Sequence, residues 1–282
     1  MPLSRAQASF LGRLESLIGA TRLGPYRAAE SGDRFRALAR YYWNIELCKS
    51  LYPALQLLEV DLRNSLDVTL SQVFPVRADP AAYRHVRSWI TRTHDVVVHP
   101  GGRAAVDRAL ESILGKDPAR RARRTHDDLV AAMSFGFWVG MLETAYDAPG
   151  TSGVYLWPDQ KDRVFPGATD TRMTTIRAMF SGLRHFRNRV FHHEPIWAKT
   201  STGPTPADRY AEILQALRWL NSPHAPLLPR LYEPVRVLDS DRALEEAGKR
   251  LLGAIDVILE AAAQKKAAKQ ADRAARRAAG NR

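Results

Sequence analysis

Apolar positions recur three and four apart along most of the chain, and few stretches alternate apolar with polar residues, so the pattern predicts helix throughout. Leu51, Leu55, Leu58, Leu62, Leu66 and Leu70 form one such stripe. Pro53 suits the first turn of that helix, and Phe74-Pro75 ends it. Over residues 75–103, Pro80, Pro100, Gly101 and Gly102 are expected to separate short elements. Thr125-His126-Asp127-Asp128 has the spacing of a capping box, with Asp in the fourth position, and predicts one helix over 129–142. Residues 148–169 are rich in Pro and Gly yet hold Tyr155, Trp157 and Phe165, which predicts a loop ordered against the body. A helix is expected over 171–193, ended by Pro195 and Gly203-Pro204-Thr205-Pro206, with two more over 206–220 and 240–263.

A chain of 282 residues with 45% apolar and 26% charged side chains can bury a full core unaided. The expected fold class is all-α: a helical body over residues 1–263, followed by a basic extension over 264–282. The longest uncharged run, 129–142, is too short to cross a bilayer and carries Ser134, so no membrane partner is expected. Gly136 and Gly140 within it let another helix approach. Cys48 is the sole cysteine, which excludes an internal disulfide and fits a reducing cytoplasm. No secretory leader is expected at the N-terminus.

Charge adds a partner class. Forty-two Lys and Arg against 30 Asp and Glu leave +12, with a pI near 10.1, which points to a polyanion, nucleic acid first. Half of the excess lies in residues 264–282, where Lys265, Lys266, Lys269, Arg273, Arg276, Arg277 and Arg282 face one acid, Asp272. That segment is expected to prolong the last helix into solvent, and it reads either as a solvated helix or as a phosphate-binding tail. No Gly-x-x-x-x-Gly-Lys-Ser/Thr or Gly-x-Gly-x-x-Gly loop and no Gly-x-Ser-x-Gly elbow occurs, which removes the standard nucleotide-phosphate and serine-hydrolase signatures.

The candidate chemistry lies in Arg187-Asn188-Arg189-Val190-Phe191-His192-His193. Within one and a half turns it offers a fixed positive charge for a phosphate, a polar orienter and a group that titrates near neutrality. At about 100° per residue, Arg187 falls amid the apolar face of Met173, Ile176, Phe180, Leu183, Val190 and Phe191. An arginine there needs a carboxylate, carbonyls or a phosphate, and Glu59 is a candidate structural partner. His185, Asn188 and His192 line a polar face about 140° away from Arg187. Glu59 and Arg63 also have the spacing of an ordinary helical ion pair. The Tyr41-Tyr42-Trp43 cluster reads as core. A metal site of His185, His192, His193 and Glu194 is disfavoured, because adjacent histidines diverge and no second ligand cluster occurs; neither metal nor cofactor is expected.

In its wider setting, 183–197 reads Leu-Arg-His-Phe-Arg-Asn-Arg-Val-Phe-His-His-Glu-Pro-Ile-Trp, preceded by Tyr41-Tyr42-Trp43-Asn44, Leu51-Tyr52-Pro53, 58–64 (Leu-Glu-Val-Asp-Leu-Arg-Asn) and 134–138 (Ser-Phe-Gly-Phe-Trp). Together these segments resemble the Abi-like (abortive-infection) proteins, a branch of the HEPN superfamily of all-helical ribonucleases. The resemblance covers residues 35–200 and implies a HEPN-like bundle and a metal-independent endoribonuclease acting as a toxin or phage-defence effector. It implies RNA as substrate, an antitoxin RNA or protein as a further partner, and a homodimer that brings two motifs into one cleft. Catalysis is then expected of Arg187, Asn188 and His192, with His193, Glu194, Glu59, Arg63 and Asn64 as accessory positions. Arg184, Arg189, Lys265, Lys266, Lys269, Arg273, Arg276 and Arg277 are expected to hold the RNA backbone. The products would be a 2′,3′-cyclic phosphate and a 5′-hydroxyl. The alternatives are a non-catalytic RNA-binding protein that holds a noncoding or antitoxin RNA, and a regulatory homodimer paired through the motif helix.

Overall fold

The computed structural model describes residues 3–75, 86–93, 95–115, 123–148, 154–197, 203–232 and 235–279. The expected break at Pro80, the side chain of Arg277 and the whole of Arg282 lie outside the described residues. The helices are α1 (Arg5–Ile18), α2 (Ala20–Ala29), α3 (Arg34–Val73), α4 (Gly102–Leu114), α5 (His126–Ala132), α6 (Phe135–Gly140), α7 (Lys161–Val164), α8 (Met173–Phe191), α9 (Pro206–Trp219), α10 (His224–Leu231), α11 (Val235–Leu238) and α12 (Asp241–Ala279). Among the described residues there is no strand, only an isolated bridge between Asp147 and Trp157. The protein is all-α, as the periodicity predicts. No helix is long and apolar enough to cross a membrane.

The chain divides into two compact units: Met1–Lys49, His193–Pro206 and Pro234–Arg282 form the first, and Ser50–His192 with Ala207–Glu233 the second. In the first unit, Leu11, Leu23, Tyr26, Ala37, Leu38 and Ile255 make a buried cluster against which Leu14, Phe35, Leu251 and Trp197 pack. α1 opens on a reciprocal cap: Ser4 accepts from the Gln7 N–H while the Gln7 side chain accepts from the Ser4 N–H. The Gln7 amide also donates to Asp256 on α12 at 2.6 Å. Two acids in this unit are nearly enclosed, and arginines compensate each of them: Glu15 meets Arg27 and Arg34, and Glu30 meets Arg36 and Arg40.

The second unit is built around the leucine stripe. Leu51, Leu55, Leu58, Leu62, Leu66 and Leu70 are all at most 2% exposed, so truncating any of them to Ala would cost about 2–5 kcal/mol. The helix that carries them starts at Arg34, not beside Pro53, which sits well inside it. Proline lacks the N–H that would reach the Lys49 carbonyl, and burial on both sides of it outweighs that lost bond. The Thr125 capping box forms, but the single helix expected over 129–142 is two. Met133 turns extended, and Ser134 accepts from the Phe137 N–H to start α6. Gly140 admits a side chain rather than a helix backbone: a Cβ there would lie 2.5 Å from the His99 ring. The aromatic loop is ordered where it is described. Trp157 and Phe165 are buried, and the Trp157 indole donates to the Met141 carbonyl at 3.1 Å.

Candidate functional site

The motif lies on α8. Its buried side is Ile176, Phe180, Leu183, Phe186 and Val190, spaced four, three, three and four. The helix ends at Phe191, and His192 is its C-cap, donating its N–H to the Asn188 carbonyl at 2.8 Å. His193 follows with φ of 58°, the left-handed conformation that commonly ends a helix and that usually falls to glycine. The side chains of His185, Asn188, His192, His193 and Glu194 are exposed. The polar face expected from the wheel therefore faces solvent.

Arg187 falls within the buried stripe, and its side chain keeps only 25% exposure. Its Nη2 donates to Glu59 Oε2 at 3.2 Å, and its guanidinium carbon stands 4.1 Å from the centre of the Phe191 ring. Phe191 in turn lies against Tyr52, with ring centres 5.3 Å apart and planes inclined by 32°. The Arg187 Nε is buried and has no hydrogen-bond partner. The carboxylate required of a half-buried arginine is thus Glu59. Among the described residues Glu59 pairs with Arg187 rather than with Arg63, whose Nε donates to Asn64 Oδ1 at 3.4 Å. The result is a layered assembly of Glu59, Arg187, Phe191 and Tyr52, with Tyr52 49% exposed at its outer edge. Such an array holds a guanidinium between a carboxylate and an aromatic ring, with a donor left over.

The other expected residues are more scattered. Arg184 is partly exposed and stands 3.9 Å from Glu143. Arg189 and Arg63 are half-buried, and Asn64 is exposed. His193 and Glu194 belong to the first unit, where both of their backbone carbonyls are held. The His193 carbonyl accepts from Arg22 at 2.8 Å, and the Glu194 carbonyl accepts from Asn44 Nδ2 at 3.2 Å. Asn44, 2% exposed, also accepts the Ile196 N–H at 2.9 Å. Lys265, Lys266, Lys269, Arg273 and Arg276 are all exposed on α12.

Two contributors escape sequence reasoning. Phe191 lies four residues beyond Arg187, a spacing that signals a side-chain pair on a helix, but Tyr52 is brought to it only by the fold. Asn44 is quoted in the resemblance without a role, and its burial supplies one.

Two histidines elsewhere in the second unit titrate abnormally. His99 is 6% exposed, and its Nδ1 lies 2.9 Å from the Tyr146 hydroxyl. Burial, reinforced by the charge of Arg184, lowers its pKa to about 4, and burial pushes the Tyr146 phenol up to about 12. The pKa of His126 is raised, chiefly by its hydrogen bond to Asp67, with Nε2 3.0 Å from the carboxylate. Its Nδ1 meets the Ser88 hydroxyl at 2.7 Å. Ser88 is 2% exposed and accepts the Ile90 N–H, so this Ser-His-Asp series is a buried cap rather than an accessible nucleophile. Among the described residues no group of three His, Cys, Asp or Glu is placed to hold a metal ion.

Compared with known proteins, the chain matches no family model, no curated protein and no solved structure.

Proposed function

We propose that the chain is a metal-independent, HEPN-type endoribonuclease acting as a cytoplasmic toxin or phage-defence effector. The observation that carries the reading is the Arg187 guanidinium, held by Glu59 and Phe191 with Nε unsatisfied, on the helix that ends in the exposed imidazole of His192. In the proposed reaction His192 takes the proton of a ribose 2′-hydroxyl, whose oxygen bonds to the adjacent phosphorus. The bond from phosphorus to the 5′-oxygen breaks, and that oxygen takes a proton from water. Arg187 stabilises the charge that develops on the phosphoryl oxygens. Asn188 orients His192 or the phosphate, and Arg184 and Arg189 hold the backbone. Because the wheel separates Arg187 and His192 by about 140°, the reading includes a homodimer in which two motifs complement one another.

A second reading has its own support. The Arg187–Glu59 pair at 3.2 Å is what a structural arginine would make, and it favours a chain that binds a noncoding or antitoxin RNA without cutting it. Purified protein incubated with total RNA in EDTA separates the two. The nuclease reading expects cleavage to 2′,3′-cyclic phosphate ends that His192→Ala abolishes with helical content unchanged. Cleavage that survives in His192→Ala, or none by the wild-type chain as it is or as a dimer, would overturn it.

A further inference from the structure

α12 runs without interruption to Ala279, and every described side chain from Glu260 to Arg276 is exposed. The basic segment is therefore not a loose tether. Its alanine content favours helix, and continuity with the packed part of α12, where Ile255 is buried, removes the cost of nucleation. A helix fixes the direction of each charge. At about 100° per residue, Lys265, Arg276, Lys269, Arg273 and Lys266 all fall within an arc of about 100°. Ala267, Ala268, Ala271, Ala274 and Ala275 occupy the opposite side. The only acid in the segment, Asp272, pairs with Arg276 at 3.1 Å. Along the axis the five cations extend about 16 Å, at about 1.5 Å per residue.

We propose that this one-sided stripe is a preformed surface for the phosphate backbone of a nucleic acid, RNA in the reading above, on which the choice of polyanion rests. A B-form duplex carries about one phosphate per 3.4 Å on each strand, so the stripe is as long as a run of about five phosphates. A membrane surface is the competing polyanion. Helices that lie in a bilayer interface place Trp, Phe or Leu opposite their cations, whereas here the opposite side is alanine, which has too little apolar surface to anchor the helix.

The stripe differs from a merely basic tail in that its order matters as well as its charge. The test uses the full chain and a fluorescent 20-nucleotide 2′-O-methyl RNA, which lacks the attacking hydroxyl, titrated at several KCl concentrations. Changing Lys265, Lys266, Lys269, Arg273 and Arg276 to Gln is expected to weaken binding at least tenfold at low salt. It is also expected to flatten the slope of log K against log salt by about 3, the release expected for about four phosphate contacts. The combination Lys269→Ala, Ala271→Lys, Arg273→Ala and Ala275→Arg keeps charge and composition but scatters the stripe. It is expected to lose at least fivefold, with helical content unchanged by circular dichroism. Wild-type affinity in the neutralised chain would overturn the proposal, as would equal affinity in the scattered chain. So would tail-dependent binding to phosphatidylserine vesicles without tail-dependent binding to RNA. Cleavage of ordinary RNA is scored separately, so failure of the nuclease reading leaves a distinct signature.

Discussion

Removing Glu59 or Arg187 tests whether the pair between them holds the site together. At an effective dielectric near 20, unit charges about 4 Å apart attract by about 4 kcal/mol. Both side chains keep about a quarter of their exposure, so solvent offsets part of this. A coupling of about 1.5–3 kcal/mol is expected, the range for hydrogen bonds to charged groups. Arg187→Ala also forfeits the contact with Phe191, about 0.5–1 kcal/mol, for a total loss of about 2–4 kcal/mol. Urea unfolding of Glu59→Ala, Arg187→Ala and the double variant measures the coupling. Glu59→Gln separates stability from function: its amide oxygen still accepts from Arg187 but no longer competes as an anion with a substrate phosphate. On the nuclease reading the KM for RNA falls about fivefold, about 1 kcal/mol, while kcat holds. A coupling below about 0.5 kcal/mol, or a Glu59→Gln chain with raised KM or abolished kcat, would refute this account.

Three further outcomes follow from the geometry. His99 stays neutral in the fold down to about pH 4 while its unfolded counterpart protonates near 6.5, so stability falls as pH drops through that window. The loss is about 3 kcal/mol at the limit, and an acid titration of the melting temperature flattened by His99→Gln checks it. His126 has the opposite sign. Its raised pKa gives a contribution fully present below about 6.5 that fades as pH rises through the folded value, so the wild type loses more stability between pH 6 and 8.5 than His126→Gln does. Tyr52→Ala is expected to raise the KM for single-stranded RNA about tenfold, the worth of one base–aromatic stack. Tyr52→Phe should remain close to wild type, and a Tyr52→Ala chain with unchanged KM would mean that Tyr52 only packs on Phe191.

Much of the helical plan is legible in the sequence because it is carried by local rules. The leucine stripe, the Thr125 cap, the motif helix and the helix beginning at Pro206 all lie where periodicity or capping chemistry puts them. The misreadings come where a local rule loses to a tertiary one. Pro53 looks like a helix start, yet burial on both sides carries the helix past it. The uncharged run over 129–142 looks continuous, yet the Ser134 hydroxyl caps a new helix. The partnership of Glu59 with Arg187 could be anticipated by asking what a buried arginine requires. The Tyr52 edge of the site and the Asn44 clamp could not, because each depends on which distant segments the fold brings together.

The Asn44 clamp also bears on how the segment after the motif can diverge. Apart from a longer contact from its Nδ2 to Cys48 Sγ at 3.8 Å, this buried amide accepts one backbone N–H and donates to one backbone carbonyl, and so holds those two groups whatever side chains they carry. The hydrogen bond from Asn44 is therefore indifferent to which side chain stands at position 194. Position 44 has no such latitude. Aspartate cannot donate to the Glu194 carbonyl and would bring a charge into a site with 2% exposure, and leucine would leave both backbone groups unmet. The clamp thus constrains the identity of residue 44 and, at 194, only the path of the backbone.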